Sequence, residues 1–311
     1  MSQQVTYKMI KLFNINSYNV DTSKFSNLLH DSIVNEFEAR FAEYVGAKYA
    51  CSANSASSLL ALSVLRSQPD FVSIPSIIPP VVPNILVNTK TAINFLDDIS
   101  WVGHSYPLHS NVIDSAQEVT KDQCTNMEDY IVIYSFYPTK PVGSCDGGMV
   151  VSDSKETIDW FRSMTMNGRD TDGNHTMPGF KFHASSVQMH LANENLNKLD
   201  EKNEILDYVR EIYNKKLGYE NTSRHLYRIN VRNNKIFVDE MKKHGIICGI
   251  HYEACHQMSH FSDGAVRYHN QGNCTNAEEE SKRTVSIPFH EKLTMEDIRK
   301  VIKYVYKLGS V

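Results

Sequence analysis

Residues 131–149, IVIYSFYPTKPVGSCDGGM, hold the chain's most suggestive spacing of reactive groups. The apolar run Ile131, Val132, Ile133, Tyr134 reads as a strand buried on both faces of a sheet. It turns polar at Ser135. Five residues later Lys140 stands between Pro138 and Pro141, ahead of Gly143, Gly147 and Gly148. A lysine held at the end of a buried strand can lose hydration, which lowers its pKa and makes the amine nucleophilic. A solvated loop lysine is the plain alternative, and one lysine alone does not decide between them. Asp114 poses a similar choice. It follows the short strand expected at Asn111, Val112, Ile113 and opens the run Asp114, Ser115, Ala116, Gln117. With Gln117 three positions on, it is either the capping box of a following helix or a carboxylate aimed into a cleft. The small residues 52–58, including Ser55, Ala56 and Ser57, either cap a helix or form an anion cradle at its positive end.

The elements that must position these groups follow from periodicity. From Asp31, Ile33, Val34, Phe37, Phe41 and Tyr44 recur at helical spacing up to Gly46. A short strand at 48–52 and a largely buried helix over NSASSLLALSVLR come next. Strands are expected at 71–74, 92–96 and 111–113, separated by turn-rich or helical connections, with four prolines between Pro75 and Pro83 excluding a central strand or regular helix interior. That alternation predicts an α/β domain with a mainly parallel sheet, whose strands' carboxyl ends carry the ligand site. A helix over 155–166, a long loop and one long helix over 185–213, with a break allowed, lead out of it. Beyond about residue 221 the pattern changes: HLYRINV and CGIHYEA read as strands around a helix ending at Gly245, followed by a TVSIP strand and a terminal helix. This predicts a smaller α+β unit. The expected organisation is an N-terminal arm at 1–30, a large domain at 31–200 and a small C-terminal domain at 201–311.

Composition narrows the partners. The 311 residues are 41% hydrophobic and 22% charged with a formal net charge of −4, so no electrostatic footprint for nucleic acid exists. No apolar run approaches a membrane span, and the N-terminus lacks a signal peptide's apolar core, so a cytoplasmic protein is expected. The six cysteines have no framework spacing and read as reduced thiols. Cys248, His251, Cys255, His256 and His260 suggest zinc, yet strand alternation over CGIHYEA would turn Cys248 and His251 to opposite faces, so no metal is expected. Dinucleotide, nucleoside-triphosphate and serine-hydrolase motifs are absent. What remains is a small-residue helix start, an aspartate at one strand end, and a serine and lysine at another. Those are the parts that hold pyridoxal phosphate: an amine for its aldehyde, a carboxylate for its ring nitrogen, amides and hydroxyls for its phosphate.

In order, spacing and flanking residues the chain resembles the DegT/DnrJ/EryC1/StrS family of pyridoxal-phosphate sugar aminotransferases, from about Val34 to Tyr304. The resemblance rests on FEARFAEYVGAKYACSANSASSLLAL, the D-x-A-Q at 114–117, the S-F-x-x-x-K at 135–140, the Gly147-Gly148 pair, GFKFH at 179–183, the I-H-Y at 250–252 and IPFH at 287–290. It implies a type I, aspartate aminotransferase-like fold with the small C-terminal domain. It makes Lys140 the Schiff-base lysine and the acid/base, and pairs Asp114 with the ring nitrogen. Gln117 would meet the ring face or phenolic oxygen, and Ser135 with Ser55, Ala56 and Ser57 would hold the phosphate. Lys181 would reach the neighbouring subunit's cofactor in a homodimer, and His183, His251 and Tyr252 would serve the substrate. The implied reaction is amino transfer from L-glutamate to a keto carbon of a nucleotide-linked deoxysugar, C4 mildly preferred over C3. The chain departs from the family pattern at Lys181 (usually asparagine), His183 (usually arginine), Pro79 (usually an aromatic) and the phosphate-loop glycine, here Ser55 or Ala56. Lys140 argues against the dehydratase branch, which has histidine there. The departures leave open an alternative, a sensor or partner subunit that keeps the fold without catalysis.

Overall fold

The computed structural model describes residues 9–262 and 273–309. Chain order gives α1 (Ile33–Val45), β1 (Tyr49–Ala53), α2 (Ala56–Ser67), β2 (Phe71–Pro75), α3 (Val81–Asn88), β3 (Ala92–Leu96), β4 (Tyr106–His109) and β5 (Val112–Asp114). Then come β6 (Ile131–Ser135), β7 (Gly148–Ser152), α4 (Lys155–Thr165), α5 (Ser186–Leu196) and α6 (Leu199–Leu217). The remainder holds β8 (Tyr227–Asn230), α7 (Asn234–Lys243), α8 (Ser259–Ser262), α9 (Thr275–Arg283), β9 (Thr284–Ile287) and α10 (Met295–Leu308).

A five-stranded sheet in the order β1-β7-β6-β5-β4 forms the centre. β5 and β6 pair parallel, whereas β7 is antiparallel to both its neighbours and β4 to β5. β1, β5 and β6 therefore run one way and β7 and β4 the other. A separate parallel pair, β2 with β3, has the same βαβ connection through α3. The expected α/β architecture holds, with a more mixed central sheet than the spacing suggests. The reason is local: β4 and β5 are joined by a hairpin whose turn puts Ser110 at φ 46, and a hairpin can only pair antiparallel.

Period-two alternation divides β6 between two cores. Ile131 and Ile133 pack with Leu59, Leu60, Ile158 and Phe161 on one face. Val132 and Tyr134 pack with Phe37, Phe41, Met189 and Leu196 on the other. All five residues of β6 are buried, as a strand covered by helices on both faces must be. A third cluster joins Leu206, Tyr227, Phe237, Val285, Ile298 and Val301 with Ile10 of the arm. Leu226, Cys255, Phe261, Cys274 and Ala277 instead pack with the first core, so the C-terminal portion leans on the central sheet.

Two expectations are corrected. No helix follows Asp114, because its Oδ1 accepts from Ala116 N (2.9 Å) in a turn and Gln117, the other half of a capping box, bonds elsewhere. CGIHYEA is not a strand: it forms two isolated bridges to different partners, Gly249 with Ser286 and Ala254 with Ile77. The break allowed within 185–213 is present, and Asp200 and Glu201 favour a fresh N-terminus at Leu199. Pro83 lies in the first turn of α3, where no intrahelical N–H is needed, and not in a helix interior.

Beneath the start of α2, Glu38 Oε1 accepts from Ser52 N (2.8 Å) and Ser52 Oγ (2.7 Å), and its Oε2 from Arg162 (2.7 Å). Arg162 also donates to Ala50 O (2.9 Å), so α1, β1 and α4 meet at one carboxylate. Glu38→Ala leaves two buried Ser52 donors without an acceptor, while part-exposed Arg162 can turn to water. A loss of about 2–3 kcal/mol in unfolding free energy is expected, measured by urea titration.

Candidate active site

The common direction of β1, β5 and β6 brings Ala53, Asp114 and Ser135 to one edge of the sheet, beside Gly148 at the start of the opposed β7. A cavity of about 410 Å³ opens there. Ser55, Ala56, Ser57, Asp114, Gln117, Ser135, Lys140, His251 and Tyr252 all line it. Nine residues singled out from sequence, spread over almost 200 positions, thus share one space.

Lys140 is carried by the 136–147 loop, whose shape is held from four sides. Lys202 Nζ of α6 donates to Pro141 O (2.9 Å). Asn195 of α5 donates to Gly143 O, as does Tyr18 of the arm (3.3 Å). Ser144 Oγ donates to Gln188 O (2.7 Å) and Ser144 N to Phe136 O (2.8 Å). Position 143 must be glycine, because a Cβ would stand 2.5 Å from Pro138 O. Enclosure by protein lowers the Lys140 pKa to about 8, and the charge of Asp114 works the other way, helping to retain the proton.

Asp114 is buried, 4% exposed. Its Oδ2 accepts from Tyr106 OH (2.8 Å), a cross-strand neighbour set directly opposite by the β4–β5 register. Burial raises its pKa, while the Ala116 amide, the Tyr106 hydroxyl and the Lys140 charge oppose that rise. Gln117 accepts from Gly103 N through Oε1 (2.9 Å) and donates through Nε2 to Tyr252 OH (3.0 Å). Both ends of the amide are thereby fixed.

At the other end of the cavity α2 begins. Ser55 is its N-cap, Oγ accepting from Ser58 N (3.2 Å). Ala56 and Ser57 follow in the first turn, where amides lack intrahelical partners and the helix dipole is positive. β7 abuts this turn so closely that a Cβ at Gly148 would stand 2.5 Å from Ala56 N. Ser135 Oγ accepts from Tyr137 N (3.3 Å), and its O–H remains able to donate.

The far wall comes from the arm and the C-terminal portion. Phe13 stacks on His225 (5.6 Å between centroids, 19°) and meets His251 edge-on (5.9 Å). His251 Nδ1 bonds Ser286 Oγ (2.9 Å), and burial with nearby Lys140 and Arg228 lowers its pKa to about 4. Trp101 lies parallel to Tyr252 (6.4 Å, 6°) and against Tyr106 (4.5 Å), its indole N–H donating to Ile77 O (2.8 Å). Pro79 lines the cavity too, so it lies among aromatic rings.

Lys181 and His183 do not line the cavity of their own chain. Lys181 is exposed, and His183 packs against His30 (4.9 Å). The other members of the Cys/His cluster are dispersed: Cys248 lies in the third core, Cys255 Sγ donates to Ile78 O (3.1 Å), and His256 bridges Ser76 and Glu278. Among the described residues no group of three metal-ligating side chains forms. Sequence reasoning missed Phe13, Trp101, Tyr106 and His225. Only Tyr106 had a usable signal, the polar turn of PLHSNVID that makes it Asp114's hairpin partner.

The fold is that of solved aminotransferases. The aminotransferase TlmJ from Streptoalloteichus hindustanus superposes with a TM-score of 0.80 at 18% identity, covering 96% of this chain and 98% of that one. The pyridoxal-phosphate form of Spr1654 from Streptococcus pneumoniae gives 0.78 at 14% identity, covering 96% and 98%. Residues 114–306, more than half of the chain, match the DegT/DnrJ/EryC1/StrS aminotransferase family, and the chain belongs to it. A relative from Campylobacter jejuni, UDP-4-amino-4,6-dideoxy-N-acetyl-beta-L-altrosamine transaminase, is 25% identical over 359 aligned positions, covering 92% of this chain and 93% of the relative.

Since burial favours the neutral amine, the fraction of unprotonated Lys140 rises as pH passes through about 8, well below the 10.5 of a free lysine. Acetylation of Lys140 by limiting acetic anhydride, followed by mass spectrometry, should show that midpoint. In Asp114→Asn the midpoint should fall further, because the carboxylate that favours the protonated amine is gone.

Proposed function

We propose that this chain is a pyridoxal-phosphate-dependent aminotransferase that moves an amino group from L-glutamate to a keto carbon of a nucleotide-linked deoxysugar. C4 is favoured over C3 as the acceptor carbon, in keeping with the 4-amino sugar named for the Campylobacter relative. The observation that carries the reading is the pairing of a low-pKa lysine with a buried carboxylate in one cavity at the carboxyl edge of the sheet.

The donor set fits the cofactor. Lys140 offers an amine of which about a tenth is unprotonated at pH 7, far more than for an ordinary lysine, and that is the state able to bond an aldehyde. Asp114, fixed by Tyr106 and Ala116, offers a carboxylate that keeps a ring nitrogen protonated. Ser55, Ala56 and Ser57 at the start of α2, with the Ser135 hydroxyl, suit a phosphate group. Trp101 and Tyr252 furnish flat apolar surface, which answers the loss of an aromatic at Pro79. Once bound, the cofactor supplies an electron sink for the carbon that loses its proton.

The chain's own work is then proton movement and positioning. Lys140 Nζ takes the proton from the donor's carbon and returns it on the cofactor side, which a pKa near 8 suits. Gln117 and Tyr252 act as one bonded unit that sets the cavity's width above Asp114. His251, held neutral and oriented by Ser286, and Tyr252 face the substrate. Lys181 and His183, outside their own cavity, are assigned to the neighbouring subunit of a homodimer, Lys181 reaching its cofactor phosphate as a point charge. The enzyme acts in the cytoplasm on soluble substrates.

Adding L-glutamate to cofactor-loaded protein should convert the pyridoxal phosphate absorption band to that of pyridoxamine phosphate; a bound cofactor that ignores L-glutamate would instead favour a non-catalytic role. In Lys140→Ala, borohydride should no longer fix pyridoxal phosphate to the chain, and turnover should fall by at least ~1,000-fold. Persistence of the reduced adduct would place the aldehyde on another lysine.

A further inference from the structure

We propose that His225 binds the sugar of the acceptor, exchanging a hydrogen bond with a hydroxyl or carbonyl oxygen of the hexose, and has no part in holding the amino donor. The inference rests on the sugar aminotransferase reading above and narrows it to one residue and one half of the reaction.

His225 lines the cavity and is 6% exposed. Its backbone N–H bonds Ser223 Oγ (2.9 Å), and one face of its ring is covered by Phe13. Among the described residues, neither ring nitrogen has a hydrogen-bond partner. Nor is either nitrogen sealed in the core, where, among the described residues, Thr284 Oγ1 is the one buried side-chain polar atom without a partner. The imidazole therefore presents unused donor and acceptor capacity to the cavity. A nearly buried polar group left unpaired costs free energy, so the position is explained by a ligand that completes it.

Charge selects the ligand. Burial holds the imidazole neutral, and Lys140 and Lys202 reinforce this because each ammonium would repel a second cation. A neutral imidazole has one N–H and one lone pair. That complements a hydroxyl, which both donates and accepts, or a carbonyl oxygen. It complements a carboxylate poorly, since a carboxylate only accepts and would meet the N–H while leaving the ring's acceptor nitrogen unpaired, whereas a hexose brings hydroxyl donors as well. L-glutamate carries two carboxylates, whereas the hexose carries only hydroxyl, carbonyl and ether oxygens at its reacting end.

Position agrees. The groups suited to the cofactor, Asp114, Ser135, Lys140 and the start of α2, belong to the sheet side of the cavity. Phe13, His225 and His251 come from the arm and the C-terminal portion, and both histidines lie within reach of the Lys140 charge.

The test separates the two half-reactions by stopped-flow absorbance. Protein loaded with pyridoxal phosphate is mixed with L-glutamate; protein loaded with pyridoxamine phosphate is mixed with UDP- and dTDP-linked 4-keto-6-deoxyhexoses. His225→Leu should lower kcat/KM at least tenfold with the keto sugar and change the L-glutamate half less than threefold, and His225→Gln or His225→Asn should recover part of the loss. Equal loss in both halves, or none with the keto sugar, would overturn the assignment. If the leucine variant does not fold, unsubstituted protein labelled with ¹⁵N-histidine decides. A His225 ring resonance that moves with the sugar nucleotide and not with L-glutamate supports the proposal, and the reverse refutes it. Unsubstituted protein that converts with L-glutamate yet accepts no keto sugar of either nucleotide would overturn the acceptor class, and this inference with it.

Discussion

An amine and a carboxylate held out of water around one cavity are the constraint on which this structure turns. Burial alone pushes Lys140 toward its neutral form and Asp114 toward its own, and each charge partly restores the other. Such a pair tolerates little positional error, because stray water or a shifted loop would return both groups to ordinary behaviour. The surrounding architecture is arranged accordingly. β5 and β6 run parallel so that Asp114 and Ser135 finish at the same edge, and β4 returns beside β5 so that Tyr106 bonds the carboxylate.

The lysine loop shows how much of the fold is engaged in this task. Regular secondary structure does not define its shape, so α5, α6 and the arm each contribute a donor to its carbonyls. Lys202 is notable because burial lowers its pKa as well. A second ammonium near the site is accommodated through a backbone carbonyl and so leaves Asp114 to Lys140. At the opposite end, Glu38 fixes β1 to α4 and thereby sets where α2 begins. Cofactor geometry is thus inherited from contacts one layer below the cavity.

Much of this was legible in the chain itself. The continuous apolar run of β6, the small capping residues at the start of α2 and the polar end of β5 are local patterns, and local patterns survive without tertiary information. The misreadings share a cause. Asp114 with Gln117 has the form of a capping box, yet Gln117 is drawn to Gly103 and Tyr252, far away in sequence. CGIHYEA alternates like a strand, yet its backbone is divided between Ser286 of β9 and Ile77, two residues far apart in sequence. In each case a distant partner outcompeted the local one.

By its own order of residues the sequence determined the α/β class, the family, and the lysine, aspartate and helix start that a pyridoxal phosphate enzyme needs, since spacing and burial pattern express those directly. Tertiary structure alone decided that Tyr106 braces Asp114, that Trp101 and Tyr252 lie parallel beside Pro79, and that Phe13 from the arm covers His225 beyond residue 220. Those relations join segments tens to hundreds of residues apart. Their free energy comes from desolvation and ring packing, which depend on what surrounds a side chain in space, and no window along the chain contains that.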